Sequence, residues 1–142
     1  MIALGSDHAG YELKVNIKNY LEKKGLKIED VGTFNKESCD YPIYAKKVAN
    51  LVSSSICDKG ILVCGSGVGV SISANKVAGV RAALCYEPEL AILARKHNDA
   101  NVLCLSGRFT DFAKAIVIVD NFLNTSFEGG RHLNRVNLIE KV

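Results

Sequence analysis

Val63–Gly69 reads VCGSGVG, an apolar run ending in a cysteine and followed by three glycines in five positions. Glycine lets the main chain approach a ligand closely, and a cysteine at such a turn is either buried filler or a nucleophile or base. Other residues able to do chemistry sit at comparable places. Ser6, Asp7 and His8 follow the first apolar run, and Ser106, Gly107 and Arg108 follow the last. His97 opens the polar stretch HNDAN, and Arg131 and Arg135 lie four apart in EGGRHLNR around His132. Together these supply a thiol, a carboxylate, imidazoles and guanidinium groups, the inventory for moving a proton beside a bound anion.

The glycine loop matches neither common nucleotide cradle. A dinucleotide fingerprint needs G-x-G-x-x-G after the first strand, whereas G-S-G-V-G-V follows the third and carries valine at the last required glycine; no Gly-Lys-Ser/Thr follows either. What remains is a tight turn of structural origin or a cradle of backbone N–H groups at a helix start, suited to an anion or a developing oxyanion. Cys64 divides the same way. Cys57, Cys85 and Cys104 read as small core residues, and Cys39 as a loop residue without a role. At the strand-to-helix junction the helix dipole favours thiolate at Cys64. An ordinary thiol is roughly 3% ionised at neutral pH, so a modest downward shift makes a competent base. Arg131 and Arg135 share one helix face and form either a solvated basic end or a phosphate clamp, with Arg108 as a third member.

These residues need a scaffold, and the hydrophobic pattern provides one. Short apolar runs alternate with longer amphipathic segments, the pattern of a parallel sheet with crossover helices. MIALGS, LKIEDVG, GILVC, GVRAALC and NVLCLSG read as strands. Helices are expected over Tyr11–Lys24, over YPIYAKKVANLVSS, from within the glycine loop, over PELAILARKHN, over DFAKAIVIVDNFLN, and from about Leu133 to Ile139. The expected fold is α/β: a five-stranded parallel sheet in a Rossmann-like three-layer α/β/α sandwich, formed by residues 1–142 as one domain. In such sheets ligands bind beyond the carboxyl ends of the strands, where the polar residues after the first, third and fifth strands would meet.

The 142 residues carry 18 basic and 15 acidic side chains, a formal charge of +3, without a basic run or interleaved aromatics. Nucleic acid is not an expected partner. No apolar stretch reads as a membrane span or signal peptide, which points to the cytoplasm. Five cysteines, far apart and without a C-x-x-C pair, suggest neither a disulfide framework nor a metal site.

GSDHAG at the start, DYP at Asp40–Pro42, CGSGVGVSISANK from Cys64, HND from His97, and EGGRH with arginine three positions later carry a specific resemblance. The chain is similar over nearly its whole length to the type B ribose-5-phosphate isomerases and the related galactose- and allose-phosphate isomerases. The resemblance implies that Cys64 moves a proton between two sugar carbons and that His97 helps open the ring. It also implies that Asp7 and His8 contact the substrate, and that Gly65, Ser66, Gly67, Val68 and Gly69 form the anion hole. By the same resemblance, Asn98, Arg108, Arg131 and Arg135 would complete substrate and phosphate binding. Some relatives place a carboxylate base shortly after the loop; here that stretch is VSIS, with no acid, which strengthens the assignment to Cys64.

Isomerising an aldose to a ketose needs a base, enediolate donors, a ring opener and a phosphate grip, and it needs no metal or organic cofactor. Ser66, within the loop, is the candidate to relay a proton between the two substrate oxygens, and Tyr41 either borders the pocket or caps a helix. The expected activity is interconversion of ribose 5-phosphate and ribulose 5-phosphate. The alternatives are a six-carbon substrate (allose or galactose 6-phosphate) or a non-catalytic phosphosugar-binding module. Topology adds an expectation about assembly. The fourth helix runs back from the carboxyl edge of the sheet, which puts His97 and Asn98 roughly 17–20 Å from Cys64. A homodimer that shares its active sites, or a tetramer of such dimers, resolves that separation.

Overall fold

The computed structural model describes residues 1–141. Five parallel strands form one sheet in the order β2-β1-β3-β5-β4. They are β1 (Ile2–Ser6), β2 (Ile28–Asp30), β3 (Lys59–Cys64), β4 (Ala82–Leu84) and β5 (Val102–Ser106). The helices are α1 (Tyr11–Lys23), α2 (Tyr41–Ser53), α3 (Val68–Ala74), α4 (Pro88–Asn98), α5 (Phe112–Asn124) and α6 (Arg131–Glu140). The expected α/β sandwich is therefore present. The edge strands β2 and β4 keep three residues each, shorter than their apolar runs, because each pairs with a neighbour on one side only.

Alternation along the central strands divides the core. Ile61 and Val63 of β3, with Leu103 and Leu105 of β5, face a layer containing Ile17 of α1, Ala91 of α4 and Phe122 of α5. Leu62 and Cys64, with Val102 and Cys104, face Val48 of α2 and Val70 of α3. Both faces are covered, which explains the almost uninterrupted apolar character of β1, β3 and β5. No helix among the described residues is long and apolar enough to cross a membrane.

At the carboxyl edge the loops after β1, β3 and β5 interlock through their backbones. The Asp7 N–H donates to Val63 O at 3.3 Å, Gly107 N–H to Cys64 O at 2.8 Å, and Arg108 N–H to Gly65 O at 3.0 Å. A Cβ added to Gly10 would lie 2.5 Å from Val63 O, and one on Gly107 would lie 2.6 Å from Ala9 O. Main chain rests directly on main chain there.

Candidate active site

Cys64 is the last residue of β3 and pairs in register with Ser106, the last of β5. It is 4% exposed and opens onto a crevice of about 410 Å³ that is also lined by Asp7, His8, Gly65, Ser66, Val68, Gly69 and Arg108. The structure thus brings together the polar residues that follow the first, third and fifth strands. Tyr41 lines the same crevice, and it does not cap α2: it is the first residue of that helix, and the cap position belongs to Asp40. A wider groove of about 510 Å³ lies between β2 and α2, lined by residues such as Glu29, Lys47 and Ile56, without a comparable set of convergent reactive groups.

The loop is shaped by what it must avoid. Gly67 adopts φ +80, a left-handed conformation that disfavours side chains. A Cβ there would also lie 2.5 Å from the Leu84 side chain. Its turn starts α3 at Val68. The Ser66 hydroxyl accepts from the Val68 N–H at 3.1 Å, which leaves the hydroxyl proton free to be donated. The loop is braced from two sides: Tyr86 OH donates to Ser66 O at 2.7 Å, and Ser106 Oγ donates to Gly65 O at 2.6 Å. The Arg108 guanidinium passes so close to Gly65 that a Cβ there would meet it at 3.2 Å, which places a cation at the crevice mouth.

Across the crevice, Asp7 is 6% exposed and accepts the Gly10 N–H at 3.1 Å, a bond that holds its carboxylate at the start of α1. His8 Nδ1 accepts the backbone N–H of Cys39 at 3.2 Å. Cys39 thus has a role that sequence reading missed, because the contact depends on its main chain and spans 31 residues. Burial pushes Cys85 up to about 11 and Cys104 well above the ordinary thiol value, as expected of inert core residues.

His97, Asn98, Arg131 and Arg135 are not in this crevice. His97 and Asn98 end α4, and the chain then enters β5 at the amino edge, where Asn101 O accepts from Gly60 N–H at 2.9 Å. The α4 cap is Asp99, with φ +47. Arg95 Nη1 donates to Asp99 Oδ1 at 2.8 Å and to Ala100 O at 2.7 Å. Arg81 donates from Nε to Asn98 O at 3.0 Å and from Nη2 to Asp99 O at 2.9 Å. Only part of this clamp could be read beforehand, as the i,i+4 spacing of Arg95 and Asp99. The His97 ring stacks on His132 with centroids 4.3 Å apart and planes 12° from parallel. Arg131 and Arg135 therefore share the His97 end of the chain, apart from Arg108.

Among the described residues, one group of side chains could offer a metal three ligand atoms: His97, Glu128 and His132, whose atoms lie within 4.8 Å of one another. The nearly parallel rings direct their nitrogen lone pairs side by side instead of toward one point, which does not suit tetrahedral coordination.

A family model described as Ribose/Galactose Isomerase matches residues 2–139. The chain is 48% identical over 141 residues to ribose-5-phosphate isomerase B of Escherichia coli, covering 99% of this chain and 95% of that protein. The Thermotoga maritima ribose 5-phosphate isomerase structure superposes with a TM-score of 0.98 at 54% identity, covering 99% and 97% of the two chains. The Mycoplasma genitalium ribose-5-phosphate isomerase B structure, which holds bound ribulose-5-phosphate, matches with a TM-score of 0.94 at 46% identity over 99% and 93%. With the fold, the glycine loop and the polar carboxyl edge in agreement, the chain belongs to the ribose/galactose isomerase family.

Proposed function

We propose that this chain interconverts ribose 5-phosphate and ribulose 5-phosphate through an enediolate, with Cys64 as the base. The observation that carries this reading is Cys64 itself, placed where β3 gives way to the glycine loop and opening onto the crevice. From ribose 5-phosphate, Cys64 as thiolate takes the proton on C2 and returns it to C1. The negative charge that develops on oxygen meets the N–H groups of the Gly65–Gly69 loop. Ser66, whose hydroxyl proton is free, shuttles a proton between O1 and O2, and Asp7 and His8 hold the sugar hydroxyls.

His97 opens the furanose ring, Asn98 contacts the sugar, and Arg131, Arg135 and Arg108 grip the phosphate. These groups divide between opposite edges of the sheet, and β3 alone spans about 13 Å from Gly60 to Cys64. In our reading a two-fold homodimer completes each site, one protomer giving Cys64, the loop and Arg108 while its partner gives His97, Asn98, Arg131 and Arg135. Five unpaired thiols support a cytoplasmic enzyme.

The test is turnover of ribose 5-phosphate beside allose 6-phosphate and galactose 6-phosphate, with Cys64→Ala as control. The pentose phosphate should be preferred, and Cys64→Ala should lose turnover while keeping its affinity for inorganic phosphate. A faster six-carbon substrate would overturn the substrate, and an active Cys64→Ala enzyme would overturn the base.

A further inference from the structure

The ring opener does not stand alone. The His97 imidazole lies face to face on His132, and His132 is 7% exposed. His132 sits in the first turn of α6, directly after the Gly129–Gly130 pair. The segment leading to it is tied to the last turn of α4 by the Glu128 N–H, which donates to Lys96 O at 3.1 Å. Both rings are therefore carried on backbone that is joined locally. No hydrogen bond within 3.5 Å reaches the His132 ring from the described residues, and its nearest polar partner is Glu128 Oε1, 3.7 Å from Nε2. The ring nitrogens still reach solvent, since Ser6 Oγ is the one fully buried side-chain polar atom left without a partner among the described residues, so it is the stacked face that this ring commits to a neighbour.

We propose that His132 is a positioning residue for His97, its ring serving as a platform that fixes the plane of the His97 imidazole while that group transfers protons during ring opening. The inference rests on the reading of His97 as the ring opener. Stacking removes the ring-flip freedom of His97, because turning it out of plane would drive its edge into His132. A platform works best uncharged. Burial, followed by the charges of His97 and Arg131, lowers the His132 pKa from its ordinary value, and Arg135 acts in the same direction against Glu128. A neutral ring accepts a cationic neighbour on its face, whereas two imidazolium rings at this separation would repel.

Two reactions on the full dimer separate ring opening from proton transfer at carbon. Isomerisation of ribose 5-phosphate begins from a closed furanose. Exchange of a C1 proton of ribulose 5-phosphate with deuterated water needs only the base and enediolate donors, because that ketose has no free 5-hydroxyl with which to close a furanose. His132→Ala should slow isomerisation about 10- to 100-fold and change the exchange rate by less than about threefold. His132→Phe restores a flat ring without a proton and should recover most of the loss. His97→Ala/His132→Ala should be no slower than His97→Ala alone, since the second residue acts through the first. Unimpaired isomerisation by His132→Ala, failure of phenylalanine to rescue, or a double variant showing the product of both single losses would each overturn the positioning role. A fully active His97→Ala enzyme would instead overturn the underlying reading and the inference with it. If His132→Ala folds poorly, His132→Phe keeps the test decisive, since that enzyme should isomerise at close to the wild-type rate and a large loss in it would overturn the platform role.

Discussion

The backbone N–H of Cys39 donates to Nδ1 of His8 at 3.2 Å, so Nδ1 is the unprotonated nitrogen and a neutral His8 carries its hydrogen on Nε2. His8 thus presents a donor to the crevice. Glutamine can place an amide N–H near the former Nε2, whereas the shorter asparagine reaches only the Nδ1 position. His8→Asn should raise the KM for ribose 5-phosphate about tenfold, the loss of one hydrogen bond, and His8→Gln should raise it distinctly less. Equal effects in steady-state kinetics would show that His8 does not act as an Nε2 donor.

Mixing chains tests whether sites are shared. Homodimers of Cys64→Ala and of His97→Ala should each be nearly inactive. Random re-pairing makes half the dimers mixed, and each mixed dimer holds one intact site, so about a quarter of wild-type activity should return. No recovery, with mixed dimers demonstrated by mass spectrometry, would place both residues in one chain's site.

Lys14 is completely buried and gives its ammonium to Asp30 Oδ1 at 2.6 Å and to Thr33 O at 2.6 Å. Lys14→Ala strands a mostly buried carboxylate and a carbonyl, and should cost about 3–5 kcal/mol in urea unfolding. Lys14→Met fills the space but leaves Asp30 without its counter-ion, holding only the Gly32 N–H at 2.9 Å, so it should also destabilise. A loss under about 1 kcal/mol in both variants would mean that water replaces the ammonium freely.

Alkaline pH should weaken the fold through its inert thiols. Cys85 ionises near 9.0 when unfolded and at about 11 when buried. Below pH 9 both states keep the proton and nothing is lost. Between 9 and 11 the unfolded chain releases it while the folded chain holds it, so stability falls as pH rises. The loss attributable to Cys85 is about 2 kcal/mol by pH 11. Cys85→Ala should flatten this slope in urea midpoints measured from pH 8 to 11, and an unchanged slope would exclude Cys85 as its source.

Periodicity made most elements readable: PELAILARKHN is α4 from end to end, and the apolar runs mark every strand. The strand order was not readable, since pairing β3 with β5 depends on contacts between runs with equivalent patterns. In the site, Cys64 and the polar ends of β1 and β5 were legible because they follow apolar runs directly. The Cys39–His8 bond and the His97–His132 stack were not. One uses a main-chain group that every non-proline residue carries, and the other joins two segments brought together only by the docking of α6 on α4.

The contact of Gly10 with Val63 and of Gly107 with Ala9 bears on how this site can evolve. A floor made of apposed main chain offers no small steps, because the first carbon added at either glycine already collides with a carbonyl. Variation is left to the rim, where Val68, Ile72 and Tyr41 line the crevice and are 43%, 58% and 39% exposed. A lineage drifting toward a longer sugar would have to widen the walls of a cup whose base cannot move, so adaptive changes should concentrate at those positions and leave the backbone floor beneath them intact.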